Sequence, residues 1–205
     1  MKRNRQNTES KIIQAVGTVL ERHGFENAGV NLVARTAGVD KVLIYRYFDG
    51  FDGLLSAFGE SADIWWSVDE IVGDALPGPP RNNLSEWCAL ALIRQIEALR
   101  RRPVTQQILL WELSQSNGLT RRLNQLREAR MQQLVRRVIE LGGRRADTRL
   151  MAVHGLLGGA AEYLVLRARK SEHIMGMDFS SETGWNRLGA SISALVRAVF
   201  ADEES

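Results

Sequence analysis

The residues with most to offer chemically lie between Gly38 and Phe48, in the run Gly-Val-Asp-Lys-Val-Leu-Ile-Tyr-Arg-Tyr-Phe. Lys41 and Arg46 bring fixed positive charge, and Tyr45 and Tyr47 bring hydroxyls on aromatic rings. Such a set suits contact with an anionic, hydrogen-bonding polymer. The local signals say how it is held. Gly38 supplies the left-handed conformation that ends one helix, and Asp40 can cap the next through its carboxylate. Ile44 and Phe48 stand four apart and share one face, while Lys41, Val42, Leu43, Tyr45 and Arg46 fan over the rest. Two helices meeting at a sharp corner, the second with polar and aromatic groups outward, form the layout of a helix-turn-helix reading head.

Catalysis finds no comparable set. His23, His154 and His173 are far apart in sequence, no His, Cys, Asp and Glu cluster has metal-ligand spacing, and no glycine-rich phosphate loop precedes a helix. The expectation is a protein that is not an enzyme and carries no cofactor and no metal. A single cysteine, Cys88, excludes an internal disulfide framework and, set in Trp87-Cys88-Ala89-Leu90, reads as a buried structural thiol. The composition is that of a globular protein, with 44% hydrophobic and 25% charged residues. The formal net charge is +3, and residues 1–50 carry all of it, with eight Lys and Arg against five Asp and Glu. A local basic excess beside the turn is what phosphate contact requires. The N-terminus shows no secretory leader pattern, and the most apolar stretch, 150–166, contains His154 and Glu162 and is too short and polar to span a membrane. These features predict a cytoplasmic protein with no membrane partner.

Helical spacing then organises the chain. Residues 1–7 are polar, with Lys2, Arg3 and Arg5, and read as a mobile arm. Thr8 is a plausible cap for a first helix that carries Ile12, Val16, Val19 and Leu20 and stops at Gly24. A second helix starts after Gly29 and stops at Gly38, and a third covers about 41–48. Leu54, Leu55, Phe58, Ala62, Trp65, Val68 and Val72 predict one long fourth helix over 50–74. Leu76-Pro77-Gly78-Pro79-Pro80 is the clearest linker. Further helices are predicted over about 84–99, 104–115, 119–141, 147–171 and 181–201. The basic Arg100-Arg101-Arg102 falls at a helix C-terminus, where cations complement the dipole. No strand alternation and no internal repeat are visible. The predicted fold is all-α with about nine helices: a helix-turn-helix domain over 1–50 and a larger helical domain over 51–205.

Three short helices, a turn at Gly38-Val39 and six longer helices resemble the TetR family of bacterial transcriptional regulators. Phe25, Val30, Val33-Ala34, Ala37-Gly38-Val39, Lys41, Ile44-Tyr45, Tyr47-Phe48 and Leu54-Leu55 match that family's N-terminal pattern in type and spacing. The resemblance implies a repressor-like regulator that binds a palindromic operator in double-stranded DNA as a homodimer and changes its DNA affinity when a small-molecule effector binds. On its pattern Lys41 reaches a phosphate or a guanine edge, and Val42 takes the small-residue position. Tyr45 takes the phosphate-binding tyrosine position. Arg46 and Tyr47 contact base or backbone, Asn31 reaches the groove, and Arg3 and Arg5 follow the backbone or enter a minor groove. Two departures stand out. Leu43 occupies a position usually held by Thr or Ser, so it can touch a thymine methyl but cannot hydrogen-bond a base. After Phe48 the family's lysine is replaced by Asp49-Gly50-Phe51-Asp52, which implies weaker or slightly rotated docking.

The resemblance also assigns tasks to the larger domain. Trp65, Trp66, Trp87 and Trp111 fall on helices that surround a ligand cavity in the family, although aromatics at helical spacing are as readily core. Glu112 has an apolar flank and is placed to pair with Arg127 or Arg130 or to meet a cationic ligand. His154, Glu162 and Tyr163 are further polar candidates, with a surface or core role as the alternative. The last two helices resemble the family's dimerising pair, with Leu157, Gly158, Gly159, Ala161, Leu188, Ile192 and Leu195 as the expected contact. The rival to the whole reading is a helical interaction module, or a helical enzyme, that has lost DNA binding.

Overall fold

The computed structural model describes residues 2–61, 64–114, 116, 118–143 and 148–201; the side chains of residues 2–4, 118, 119 and 148 are outside that description. Ten helices and one small hairpin are formed among the described residues: α1 (Lys2–His23), α2 (Val30–Ala37), α3 (Lys41–Phe48), α4 (Phe51–Glu60), α5 (Val68–Val72), α6 (Leu84–Arg100), α7 (Pro103–Ser114), α8 (Gly118–Gly142), α9 (Thr148–Ala168), β1 (His173–Ile174), β2 (Met177–Asp178) and α10 (Glu182–Phe200). The all-α class predicted from spacing is the class observed.

The chain divides into two compact bodies. The first comprises Met1–Trp65 and Arg102–Ala129, and the second Trp66–Arg101 and Arg130–Ser205. In the first, α1 packs on α2, α4 and α7, and α3 packs on α2 and α4. Its core is Ile12, Val16, Leu20, Val33, Ile44, Leu54 and Phe58, which places the reading head around the inner face of α1. In the second, α6 is the central element, against which α5, α9 and α10 lie. Its row of Trp87, Cys88, Ala91, Leu92, Ile96 and Leu99 is buried, and its small residues Ala89, Ala91 and Ala98 make room for neighbours on several sides. Cys88 is fully buried, and burial pushes its thiol up to about 12.

Three local predictions are corrected. The N-terminal residues expected to form a mobile arm are helical from Lys2, so Thr8 lies inside α1 instead of capping it. The ion pair between Arg5 Nε and Glu9 Oε1, 2.8 Å long, spans one turn of this extension and helps to keep it wound.

The single helix expected over 50–74 is instead α4 and α5, with Ser61 and residues 64–67 outside any helix; Ala62 lies outside the described residues. Ser61 adopts extended backbone, and its hydroxyl donates to the Phe58 carbonyl at 2.7 Å. Ser67 then caps α5 by accepting from the Glu70 N–H at 3.1 Å. The break falls next to Ile64, Trp65 and Trp66, which are consecutive and all buried. The Thr105 hydroxyl donates to the Ile64 carbonyl and so satisfies a group that the helix would have satisfied.

The third correction is the hairpin, where His173 pairs with Asp178 and Ile174 with Met177. Its two-residue turn, Met175-Gly176, has positive φ at both positions, the requirement of a type I′ turn. The helix start predicted at Asp147 lies outside the described residues.

Candidate nucleic-acid interface

The corner between α2 and α3 is built as its residues suggest. Gly38 adopts φ 62°, and its N–H donates to the carbonyls of Ala34 and Arg35. Val39 N–H closes back on the Ala34 carbonyl at 3.0 Å. Asp40 then caps α3, its Oδ1 accepting from Val42 N–H at 2.8 Å. Ile44, 0% exposed, pins α3 to the core.

That anchor fixes what faces out. Lys41, Val42, Tyr45 and Arg46 are exposed, and Leu43 and Tyr47 are half-buried. Val42 at 60% and Tyr45 at 58% are large surfaces for a valine and a tyrosine to leave in water. Asn31, at the start of α2, is exposed too. The side chain of Arg3 lies outside the described residues.

The junction after α3 is tight. Asp49 caps α3 in the left-handed region, φ 58°, and Gly50 at φ 103° leads into α4. A Cβ on Gly53 would stand 1.7 Å from the Phe48 carbonyl oxygen, so the backbone of α4 runs directly against the end of α3. Only glycine permits that approach. Asp49 therefore sits in a compact junction between α3 and α4, and Asp52 lies in the first turn of α4.

Arg5 is not a free arm residue. Its guanidinium carbon lies 5.0 Å from the centroid of the Tyr47 ring while its Nε donates to Glu9. The Tyr47 ring also meets Phe48 edge-on, with centroids 6.4 Å apart.

The expected effector residues are distributed over both bodies. In the first, Trp65 is buried and Trp111 is half-buried, stacked on Phe25 with centroids 3.9 Å apart and planes 10° from parallel. Phe25 reaches this position because Gly24, φ 69°, ends α1 and turns the chain toward α7. An open recess of ≈ 220 Å³ beside the stack is lined by His23, Gln107, Leu110 and Trp111, among others. Glu112 pairs with Arg127 at 3.1 Å.

In the second body Trp66 and Trp87 are buried, and the Trp87 indole N–H donates to the Pro80 carbonyl at 3.1 Å, tying the proline-rich linker to α6. His154 is 4% exposed and lies with Nε2 3.0 Å from Gln95 Nε2. Burial holds its pKa down at about 4, so it is neutral at physiological pH and accepts from the Gln95 amide. Glu162 is half-buried and Tyr163 exposed. Among the described residues no group of three or more His, Cys, Asp and Glu could hold a metal ion. No described helix is long and apolar enough to cross a membrane.

Of the residues expected at a dimer contact, Ala161, Leu188 and Ile192 are buried within the protomer, Leu157 and Gly158 are half-buried, and Gly159 and Leu195 are exposed. The apolar surface that remains on α9 is Met151, Ala152, Gly155, Leu156, Gly159, Ala160 and Tyr163, with Leu156 74% exposed. On α10 it is Ala190, Ala194, Leu195, Ala198 and Val199. Met151, Leu156 and Val199 are not among the residues expected at that contact. The buried series Leu150, His154, Ala161 and Val165 fixes the inward face of α9, and reading its four-residue spacing would have found Leu156 on the other side.

A helix-turn-helix whose second helix offers cationic, phenolic and apolar groups to solvent, carried by an all-helical chain, defines a DNA-binding regulator class. Residues 12–58 match the family model for bacterial regulatory proteins, tetR family. No curated protein matches the sequence.

Solved structures share the fold. The fatty acid degradation regulator FadR from Bacillus halodurans is 19% identical, covering 92% of this chain and 94% of its own, with a TM-score of 0.66. A TetR-like transcriptional regulator from Rhodococcus sp. RHA1 is 15% identical over 94% of this chain and 95% of its own, at 0.62. FadR from Bacillus subtilis, solved with stearoyl-CoA, is 18% identical over 91% of this chain and 96% of its own, at 0.64.

Proposed function

We propose that this TetR-family transcriptional regulator is a cytoplasmic, ligand-responsive repressor that binds a palindromic operator as a homodimer and is not an enzyme. In this reading residues 1–50 contact DNA, while 51–205 take up the effector and form the dimer. The observation that carries it is the solvent-facing set Lys41, Val42, Tyr45 and Arg46 on a helix pinned by the fully buried Ile44 and capped by Asp40. Lys41 takes a phosphate or a guanine edge, Tyr45 a phosphate, and Val42 and Leu43 thymine methyls. Asn31, Arg46 and Tyr47 extend the contact.

One such helix reads too few base pairs for genomic specificity, and a two-fold pair reads a palindrome. The exposed small and apolar stripes of α9 and α10 support that pairing, because monomeric proteins seldom leave a contiguous apolar face in water. The stearoyl-CoA found with the Bacillus subtilis FadR supports a small-molecule effector of 51–205 here and makes acyl-CoA thioesters a first panel to screen. Effector binding that favours one conformation shifts DNA affinity by its differential affinity for the two states.

The test is a salt-titrated binding assay on genomic duplex fragments. Lys41→Ala and Tyr45→Phe should weaken binding with the oligomer unchanged, and the alanine variant should lower the slope of log affinity against log salt by about one. Absence of any wild-type complex at low salt overturns the proposal.

A further inference from the structure

The same reading of DNA by α3 is the premise of a second assignment, which concerns Arg5. A cationic residue near the N-terminus would ordinarily be given a phosphate of its own. Here it is already engaged on two sides. Its Nε donates to Glu9 Oε1 at 2.8 Å, and its guanidinium lies over the Tyr47 ring at 5.0 Å. It also stands on a helix that is wound from Lys2, not on a free segment.

We propose that Arg5 is a positioning residue: held by Glu9, it clasps Tyr47 from α1 and so sets the outer side of the recognition helix before DNA arrives. Ile44 fixes the inner side of α3 to the core and the junction at Gly50 and Gly53 fixes its C-terminal end; the contact with Arg5 adds a restraint on the outer side. Tyr47 is the half-buried residue through which that restraint acts, with Arg5 against its face and Phe48 against its edge. The carboxylate of Glu9 both orients the guanidinium and offsets its charge, which makes Arg5 a poorer phosphate ligand and a better clasp.

Two opposite behaviours separate the roles. If Arg5 served a phosphate, Glu9→Gln would release it and strengthen DNA binding, and Arg5→Lys would keep the charge and most of the affinity. In the clasp, Glu9→Gln loses the orienting partner, and Arg5→Lys loses the planar group that stacks and the Nε–H that Glu9 accepts.

The experiment measures duplex binding of the full-length protein with Arg5→Lys and with Glu9→Gln across a salt series, together with thermal unfolding of the DNA-free protein for Arg5→Lys, Tyr47→Leu and the double variant. Each of Arg5→Lys and Glu9→Gln should weaken binding about two- to five-fold, the size of an exposed cation–ring contact, at an unchanged salt slope. The double variant should melt at a higher temperature than the sum of the single shifts predicts. Stronger binding by Glu9→Gln, wild-type affinity in Arg5→Lys or additive melting shifts would each overturn the clasp. If the wild type binds no duplex, the DNA reading fails, and the unfolding cycle still decides whether Arg5 and Tyr47 are coupled.

Discussion

Acidification from pH 7.5 to 5.0 should cost the folded protein about 2 kcal/mol at His154 alone. The imidazole lies between α9 and α6, with its Nε2 accepting from Gln95, whose Nε2 also donates to the Ala91 carbonyl at 3.2 Å. Protonating Nε2 would set a donor against a donor. Rotating the Gln95 amide would cure that contact only by setting its oxygen against the Ala91 carbonyl. Burial holds the folded-state pKa down at about 4 against an ordinary 6.5. Between those values the unfolded chain binds a proton that the folded chain refuses. The stability is therefore fully present above pH 6.5 and is lost as pH falls toward 4, at about 1.4 kcal/mol per pH unit. Over the 1.5 units between 6.5 and 5.0 this makes the figure above.

The assay is urea denaturation of the wild type and of His154→Leu at both pH values. Carboxylates such as Glu86 and Glu182, held low by Arg197 and Arg100, titrate in both proteins and cancel in the comparison. The leucine variant should lose about 2 kcal/mol less than the wild type on acidification. His154→Gln, which keeps a polar end for Gln95, is the second variant should leucine disturb the packing. Equal losses in wild type and variants would refute the reasoning, since His154 would then take its proton as readily folded as unfolded.

Two further outcomes are expected. Asp40→Ala removes the carboxylate that accepts from Val42 N–H and should lower stability by about 1 kcal/mol in thermal denaturation; an unchanged melting temperature would remove the cap from the account of the corner. Leu156→Glu places a charge in the exposed stripe of α9 and should halve the particle mass seen by light scattering while leaving the helical circular dichroism intact; a dimer that survives the charge would place the two-fold contact elsewhere.

The reading head was legible because its determinants are local. Gly38 in the left-handed region, Asp40 as a cap and Ile44 as the inward residue act over a few positions, and each was visible as a residue type in the right place. Elsewhere the deciding interactions are not local. The apolar spacing across 54–72 continues through a break where Ser61 turns extended and Thr105, forty-one positions on from Ile64, donates to the Ile64 carbonyl. The polar start of α1 has no apolar periodicity to announce it, and its Arg5 contact is made with Tyr47, forty-two positions on. Leu156 and Leu157 are indistinguishable as residue types, and their sides are told apart only through the four-residue spacing of Leu150, His154, Ala161 and Val165, which the small residues between them obscure. The hairpin strands, two residues each, are too short to show alternation.

Cys88 has a practical consequence. Its thiol is fully buried and pushed up to about 12, so at neutral pH only about one molecule in 10⁵ holds it as the reactive thiolate. The native thiol should therefore react slowly with maleimides and methanethiosulfonates. A single engineered cysteine on the outer face of α3 or α9 would be labelled alone. Spin-label or fluorophore distances between two copies could then be measured on the otherwise unaltered protein, with the original thiol left in place to fill its share of the core.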